Sequence, residues 1–406
     1  MLAEAALRAG LALAGHPYDA AAARQSARDL VPSGMQLASS DEPRGEELFL
    51  HPFQGYESDQ ELARTRSLLH YMEARDPSAE APYTILIVGG SVSMFFGARV
   101  NGGTESLEAV LRQDARFAGK EIVFVGQGRS AFKQPQQLFL TASLFQRGFR
   151  PDAVIDIDGF NEVALGLHNL DFGADPLFPA FQFWGPLVAR RGSDVAGIEL
   201  ASAVLEQQRE HLTLVRWSER LGLFHSAISG LCVRELARSR RSAWELALRA
   251  YLQHEAADLD PRLLGRLEPP PDADAALTAI VDHWVESSRS LHALCAERGI
   301  RYLHVLQPTL LDEGSKPLTA VERSHLDVPE SVARGVRQGY PRLREAGERL
   351  RELGVPFVDA SDVFLHEEQT IYFDACHFRR PGCALLGERI GRAFLALGDV
   401  PEPRER

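Results

Sequence analysis

Residues 84–91 read Thr84-Ile85-Leu86-Ile87-Val88-Gly89-Gly90-Ser91, an apolar run that ends in two glycines and a serine. A short continuous run of apolar and β-branched residues bounded by glycine is typical of a strand buried in a parallel sheet. The two glycines permit a sharp turn after the strand, and that turn exposes the serine hydroxyl at the end of the sheet. The stretch therefore predicts an α/β fold with Ser91 at a strand end.

Four further apolar runs of the same kind lie at residues 121–125, 153–157, 302–306 and 355–358, and helical periodicity follows most of them. Strands that alternate with helices in this way predict a doubly wound three-layer α/β/α sandwich around a mostly parallel five-stranded sheet. In such sheets, ligands bind beyond the carboxyl ends of the strands. Ser91, the loop after Gly126 and Asn161 all fall at these ends.

The third and fourth runs are separated by about 140 residues, far more than one crossover helix needs. The sequence between them has an aromatic-rich part and then long segments with helical periodicity. We therefore predict that residues 81–165 and 300–400 form the α/β core and that residues 166–299 form an inserted helical subdomain or lid. Residues 1–80 are expected to pack on this core as a helical and irregular extension.

The composition of the 406-residue chain, with 45% hydrophobic and 25% charged residues, is that of a soluble globular protein. Its formal net charge of −12 predicts no nucleic-acid partner and would repel an anionic membrane surface. Glu4 and Arg8 interrupt the apolar start, which favours an ordinary N-terminal helix over a signal peptide. No segment predicts a membrane span. We expect a soluble protein, with a cytoplasmic location favoured over export.

The four cysteines are widely spaced and match neither a disulfide framework nor a zinc motif: Cys232, Cys295, Cys376 and Cys383. His366 and His377 also lack the spacing typical of zinc ligands. The sequence therefore predicts no metal and no organic cofactor. Cys376 is expected to pack inward rather than to act as a nucleophile.

A possible nucleophile, base and acid are spread over two short signatures. Asp374-Ala375-Cys376-His377 places a carboxylate three residues before an imidazole, close enough for one tight turn to orient the ring. Together with the Ser91 hydroxyl, these groups are the parts of a nucleophilic triad. Asn161 follows a strand, and its amide can donate to an oxyanion without a change of charge. The alternative roles are a helix cap for Ser91 and a simple turn residue for Asn161.

These signatures resemble the sequence blocks of the SGNH (GDSL-like) hydrolase superfamily. Gly89-Gly90-Ser91-Val92-Ser93 is similar to the first block, with Gly90 in place of the usual aspartate. Gly159-Phe160-Asn161-Glu162 is similar to the third, with Glu162 in place of an aspartate, and Asp374–His377 matches the last. The resemblance implies a flavodoxin-like fold and a serine esterase, lipase or carbohydrate O-acetylesterase that forms an acyl-enzyme. An acyltransferase with the same triad is the alternative, and no cofactor is implied.

The second block of the family supplies a glycine whose N–H joins the oxyanion hole. In this chain Ala131 falls at that position, with Ser130 and Gly128 as other candidates for the donor. An alanine N–H can still donate if its φ is negative. The resemblance therefore implies an oxyanion hole formed by the N–H groups of Ser91 and Ala131 and the amide of Asn161. The partner is a small-molecule, lipid or carbohydrate ester, and the oligomeric state stays open.

The same loop also imitates a dinucleotide-binding fingerprint. Gly126-x-Gly128-x-x-Ala131 follows a strand, and Asp156 and Asp158 end the next one. Pro135 argues against this interpretation, because it delays the helix past the small residues. A catalytically inert binding module is a further alternative, since Gly90 and Ala131 depart from the family pattern.

An aromatic group in the predicted insertion has two interpretations. Phe181, Phe183 and Trp184 follow Phe178 within seven residues. Such groups are more often core than substrate platform. They are nevertheless the candidates for an apolar substrate-binding wall, because the predicted insertion begins beside Asn161.

Overall fold

The computed structural model describes residues 2–13, 17–30, 48–74, 81–188, 195–258, 270 and 272–397. The chain divides into two compact units, residues 1–47 with 185–260, and residues 48–184 with 261–406. The helices of the described residues are α1 (Leu2–Leu13), α2 (Ala20–Asp29), α3 (Asp59–Ala74), α4 (Ser91–Gly97), α5 (Gly103–Leu111), α6 (Gln136–Gln146), α7 (Phe160–Asn169), α8 (Phe181–Val188), α9 (Val195–Arg220), α10 (Ala227–Asp258), α11 (Ala273–Ala296), α12 (Ala320–Arg323), α13 (Glu330–Glu352) and α14 (Arg380–Leu395).

The second unit is built around a parallel sheet. The strands are β1 (Leu48–His51), β2 (Gly55–Ser58), β3 (Tyr83–Gly89), β4 (Ile122–Gly126), β5 (Ala153–Asp158), β6 (Arg301–Leu306) and β7 (Phe357–Asp359). The last five form one sheet in the order β4-β3-β5-β6-β7, and every neighbouring pair is parallel. The predicted five-stranded parallel sheet is confirmed. The chain order reverses between β4 and β5 around β3, which is where ligand crevices form in open α/β sheets.

The side chains of each strand alternate between two apolar clusters because successive Cβ atoms point to opposite faces. On one face, Leu86 and Val88 of β3 belong to a cluster that includes residues of α7, α11 and α13. On the other face, Ile85 and Ile87 belong to a cluster with residues of α5 and α14. Helices thus cover both faces, which explains why the strands are continuous apolar runs rather than alternating ones.

The predicted insertion at residues 166–299 is divided differently in the structure. α11, which was assigned to the insertion, packs in the core of the sheet unit, where Leu277 and Trp284 are fully buried. Residues 166–184 also belong to the sheet unit. Of the predicted insertion, only the described residues of 185–260 belong to the other unit, where α9 packs on α10. The periodicity predicted these helices, but an apolar stripe does not say against which surface it packs.

The predicted N-terminal extension at residues 1–80 is also divided between the two units. α1 and α2 pack with α9 and α10, and Ala23 and Ala27 share a buried cluster with Phe224. The Glu4 carboxylate accepts hydrogen bonds from the N–H groups of Ala227 and Ile228, which lower its pKa to about 2.

The described residues after 47 in this stretch belong to the sheet unit. They form the antiparallel β1–β2 hairpin and α3, whereas the sequence predicted only helical and irregular chain there. Gly55, with φ +85°, permits the hairpin turn. Residues 31–47 and 75–80 of the predicted extension lie outside the described residues. Within the described part of the chain, every helix falls short of the length or the apolarity that crossing a membrane requires.

Candidate active site

The turn after β3 places Ser91 at the first position of α4. Gly89 has φ +132°, and a Cβ atom there would lie 2.0 Å from the carbonyl oxygen of Ile157 on the neighbouring strand. Only glycine fits this close approach between β3 and β5. Because the turn is this tight, the Ser91 hydroxyl stands at the carboxyl edge of the sheet.

Ser91, His377 and Asp374 form a continuous hydrogen-bonded chain. The Ser91 Oγ lies 2.6 Å from the His377 Nε2, although the two residues are 286 positions apart. The His377 Nδ1 lies 2.6 Å from the Asp374 Oδ2. The other oxygen of Asp374 accepts the backbone N–H groups of Cys376 and His377 at 2.9 and 2.7 Å, which closes the turn. One carboxylate thus fixes both the backbone turn and the ring orientation.

Two aromatic rings flank the imidazole, and the sequence analysis did not assign them. The Phe373 ring stacks on His377 at 5.7 Å between centroids, with an interplanar angle of 13°. The Phe95 ring meets the imidazole edge-on at 5.2 Å. Their positions carried a usable signal, because Phe373 directly precedes Asp374 and Phe95 lies one helical turn after Ser91. The two rings restrict the imidazole to one orientation and shield it from water.

Asp374 and His377 each stabilise the charged form of the other. Burial opposes ionisation of Asp374, but the hydrogen bond and positive charge of His377 hold the pKa of the carboxyl below its usual value. Burial alone would lower the pKa of His377, whereas Cys376 and the Asp374 carboxylate raise it well above 6.5. The imidazole is therefore a stronger base than a free histidine side chain. The His377 side chain is still 19% exposed, so a substrate can reach it.

Neighbouring loops anchor the turn that carries Asp374 and His377. The carbonyl oxygen of Ala375 accepts hydrogen bonds from the Thr309 Oγ1 at 2.9 Å and the Leu310 N–H at 3.0 Å. On the other side, the buried Glu322 carboxylate accepts the N–H groups of Ile371 and Tyr372. These contacts join segments that are far apart in sequence, so no short motif predicts them.

We expect Thr309→Val to lower the free energy of unfolding by about 1–2 kcal/mol, because it removes the hydroxyl that donates to Ala375 and accepts the Leu311 N–H at 3.3 Å, while the Leu310 bond to Ala375 stays in place. Urea denaturation measures this change. Thr278→Val on the exposed face of α11 is the matched control, and its denaturation midpoint should hardly move. Equal midpoints for Thr309→Val and the unmodified protein would contradict the anchoring role.

Asn161 lies in the first turn of α7, beside the turn that carries Ser91. Its Nδ2 donates to the carbonyl oxygen of Phe132 at 2.7 Å, and the amide retains a second N–H. A Cβ atom on Gly90 would lie 2.3 Å from this Nδ2. The absence of a side chain at Gly90 thus leaves room for the amide next to the residue that precedes Ser91.

The loop after β4 adopts a conformation that the sequence analysis did not expect. Ala131 has φ +55°, in the left-handed region, whereas its role as a donor was predicted on condition of a negative φ. The left-handed conformation costs an alanine about 1–2 kcal/mol, whereas glycine adopts it routinely. Of the other two candidate donors, the Ser130 N–H already donates to Glu61 at 2.9 Å. Gly128 packs tightly against α4, since a Cβ atom there would lie 2.3 Å from the Met94 nitrogen.

The positions of Asp156 and Asp158 contradict the dinucleotide-binding interpretation. Asp156 and Asp158 are 0% and 2% exposed, and Gln134 donates to both carboxylates at 2.9 and 3.1 Å. Asp158 also accepts the N–H of the Trp284 indole. Neither carboxylate is available to a ribose. Glu162 is equally committed, since it accepts the N–H groups of Gly159 and Gln134 and ties the two loops together.

The aromatic group Phe181, Phe183 and Trp184 is mostly core. Phe181 is fully buried, Trp184 is 6% exposed, and the two rings pack edge to face. The expected substrate-binding role of these two is corrected, because their surfaces are already covered by protein. Phe183 is half-buried and stacks on Tyr56, whose ring meets Phe132. Phe183 is therefore the member of these three whose side chain is partly exposed.

Comparisons with known proteins found similarity only among solved structures. No protein-family model and no curated protein match the chain. Among solved structures, it is similar to a variant of Axe2, an acetyl-xylooligosaccharide esterase from Geobacillus Stearmophilus, with 11% identity, 79% of this chain and 97% of that chain covered, and a TM-score of 0.36. It is also similar to LAE5, an alpha/beta hydrolase enzyme from the metagenome of Lake Arreo, Spain, with 15% identity, coverage of 78% and 95%, and a TM-score of 0.33.

Proposed function

We propose that this protein is a serine-dependent ester hydrolase of the SGNH type, with Ser91, His377 and Asp374 as its catalytic triad. One observation carries the proposal, the unbroken chain of two 2.6 Å contacts from the Ser91 hydroxyl through the imidazole to a carboxylate. A serine that merely caps a helix needs no such partner. The strand order and the sequence blocks of the family support the same assignment.

In the proposed reaction, the Ser91 Oγ attacks the ester carbonyl carbon while the His377 Nε2 takes its proton. Asp374 accepts the Nδ1–H, holds the correct tautomer and stabilises the imidazolium. The protonated ring then gives its proton to the departing alcohol as the acyl-enzyme forms. Water, activated by the same imidazole, releases the acid. An acceptor alcohol in place of water would make the protein an acyltransferase with unchanged residues.

The negative charge of the tetrahedral intermediate needs preorganised donors. The Ser91 N–H, the free N–H of the Asn161 amide and the N–H of Ala131 are the proposed set. The closeness of Asn161 to Gly90 supports the first two, since it places the amide beside the Ser91 backbone. Ala131 enters the set only through its place in the family's second block, because its φ of +55° departs from the negative φ on which its donor role was predicted to depend.

A fluorophosphonate probe tests the nucleophile directly, because it phosphonylates an activated serine and releases fluoride. We expect a single label, mapped by peptide sequencing to Ser91, and no label on Ser91→Ala. Ser93→Ala is the matched control, because Ser93 lies in the same helix but is fully buried and donates to the carbonyl of Gly90. Labelling that persists in Ser91→Ala, or an unmodified protein that takes up no label, would overturn the proposal in favour of an inert module.

A further inference from the structure

Residues 129–132, in the loop after β4, form a four-residue turn. The Phe132 N–H donates to the Arg129 carbonyl oxygen across this turn at 3.5 Å. Ala131 stands at the third position, and among the described residues other than glycine it alone has a positive φ, of +55°. A positive φ at the third position only is the mark of a type II turn, which ordinarily places glycine there.

A type I turn is the unstrained alternative for an alanine at this position. It has a φ of about −90° at the third residue and differs from type II chiefly by a half-turn of the central peptide unit. Here that unit joins Ser130 to Ala131, so the half-turn would reverse both the Ser130 carbonyl and the Ala131 N–H. Alanine favours the negative φ. The observed turn therefore depends on a contact that holds its central peptide unit.

The Tyr56 hydroxyl makes such a contact. Tyr56 is fully buried in β2, and its hydroxyl donates to the Ser130 carbonyl oxygen at 2.9 Å. Burial and the Glu61 carboxylate raise the pKa of Tyr56 well above 10, against a smaller opposing effect of the Gln136 side chain, so the phenol keeps its proton. Glu61 itself accepts the Ser130 N–H at 2.9 Å. The hairpin and α3 thus hold the peptide units on both sides of Ser130.

The bound carbonyl also sets the direction of the Ala131 N–H. In a trans peptide unit the C=O and N–H bonds point in opposite directions, so this N–H points away from the Tyr56 phenol. Ala131 is 8% exposed, and its N–H meets no acceptor within the described part of the chain. The φ of Ala131 does not alter this direction relative to the Ser130 carbonyl, because both bonds belong to the same planar unit.

Both ends of the turn are bound to groups that adjoin Ser91. The Arg129 N–H donates to the carbonyl oxygen of Gly89, at the end of β3, at 3.1 Å. The Phe132 carbonyl oxygen accepts the amide of Asn161 at 2.7 Å. The hairpin contacts the middle of the turn, whereas the strand end and the amide contact its two ends. These contacts hold the turn at the carboxyl edge of the sheet.

We propose that Tyr56 is a positioning residue of the oxyanion hole, whose hydroxyl holds the turn in the type II form and so keeps the Ala131 N–H directed at the substrate oxyanion. This inference rests on the proposed function, because the oxyanion forms only if Ser91 attacks an ester. Tyr56 itself touches no substrate. Its hydrogen bond offsets the strain of a left-handed alanine and gives the β1–β2 hairpin a role in the reaction.

Tyr56→Phe removes the hydroxyl and keeps the ring that packs on Phe132 and Phe183. We expect kcat for an activated acetate ester to fall about 10-fold with KM nearly unchanged, because the loss of one hydrogen bond lets the turn relax to type I. Tyr18→Phe is the matched control, since the Tyr18 hydroxyl also donates to a backbone carbonyl, that of Phe224 at 2.8 Å. An unchanged kcat in Tyr56→Phe, or an equal loss in Tyr18→Phe, would overturn the inference.

Ala131→Gly separates positioning from a general loss of stability. Glycine adopts the left-handed conformation without strain, so the type II turn depends less on the hydroxyl in this background. Tyr56→Phe should then cost at most about 3-fold in kcat relative to Ala131→Gly alone, although the same hydrogen bond is lost. Equal losses in the two backgrounds would contradict the positioning role.

Crystal structures of the unmodified protein and of Tyr56→Phe distinguish a failure of this role from a failure of the proposed function. We expect the Ser130 carbonyl to be reversed in Tyr56→Phe, with a φ of about −90° at Ala131. A reversed carbonyl in a protein that turns over no ester would refute the proposed function and leave the hold of Tyr56 on the turn standing. A Ser130 carbonyl that keeps its direction in Tyr56→Phe would overturn the inference whatever the turnover.

Discussion

Ser91→Ala and His377→Ala are each expected to lower ester turnover by roughly 10⁵–10⁶-fold, and Asp374→Asn by about 10⁴-fold. The losses are this large because the His377 Nε2, 2.6 Å from the Ser91 Oγ, is the proposed acceptor of the serine proton. Asparagine in place of Asp374 would offer an N–H to Nδ1 and thereby favour the wrong tautomer. The rates are measured with an activated acetate ester, and circular dichroism verifies that each variant is folded.

The double variant distinguishes a catalytic unit from two independent contributions of Ser91 and His377. If His377 acts only by activating Ser91, Ser91→Ala/His377→Ala should be scarcely slower than either single variant. Multiplicative losses would show that the two residues contribute separately and would contradict the triad. Ser93→Ala is again the matched control, since its hydroxyl donates to a backbone carbonyl within the same turn and should change turnover little.

The sheet was predictable from the sequence because its five strands are buried on both faces. Such strands read as continuous apolar runs, and glycine or proline marks their ends. The β1–β2 hairpin was missed, because its strands are only four residues long and one of them is mostly half-buried. The hairpin contacts the loop after β4 through the Tyr56 hydroxyl, which donates to the carbonyl oxygen of Ser130. No local sequence pattern predicts this contact between residues distant in sequence.

The division of the chain was harder to predict than its helices. α11 and α10 both read as long amphipathic helices, yet Trp284 of α11 packs in the sheet core and α10 packs on α9. The difference lies in partners that are distant in sequence. The substrate-binding role predicted for Phe181 and Trp184 was wrong for the same reason, since an exposed apolar wall and a buried aromatic cluster have the same composition. Phe181 and Trp184 are buried because Phe172 and Phe178 cover them.

The geometry of the site was predictable where residues of one short motif contact each other. A carboxylate three residues before a histidine can close one turn, and Asp374 does so through two backbone N–H groups. The sequence could not predict the sign of φ at Ala131, because alanine rarely adopts the left-handed region. Nor could it predict the contact between Gly90 and Asn161, which joins two loops across the sheet edge.

That contact provides a test of the oxyanion donors. Gly90 has an extended backbone with a negative φ of −79°, outside the left-handed region that disfavours alanine, so we expect Gly90→Ala to act chiefly through its new Cβ. The Cβ would lie 2.3 Å from the Asn161 Nδ2 and 3.1 Å from the Phe132 carbonyl oxygen. The Asn161 amide must then move away from residue 90, although its side chain remains chemically intact.

We expect Asn161→Ala to lower kcat by roughly 10²–10³-fold, or about 2.7–4 kcal/mol, with a much smaller change in KM, because the amide donates to charge that develops only in the transition state. Gly90→Ala should reproduce most of this loss. Added to Asn161→Ala, it should cost little more, since the atom with which the new Cβ clashes has been removed. Steady-state kinetics on the four proteins measures this coupling. A near-normal kcat for Asn161→Ala, or fully multiplicative losses in the double variant, would mean that Asn161 only shapes the turn through its bond to Phe132.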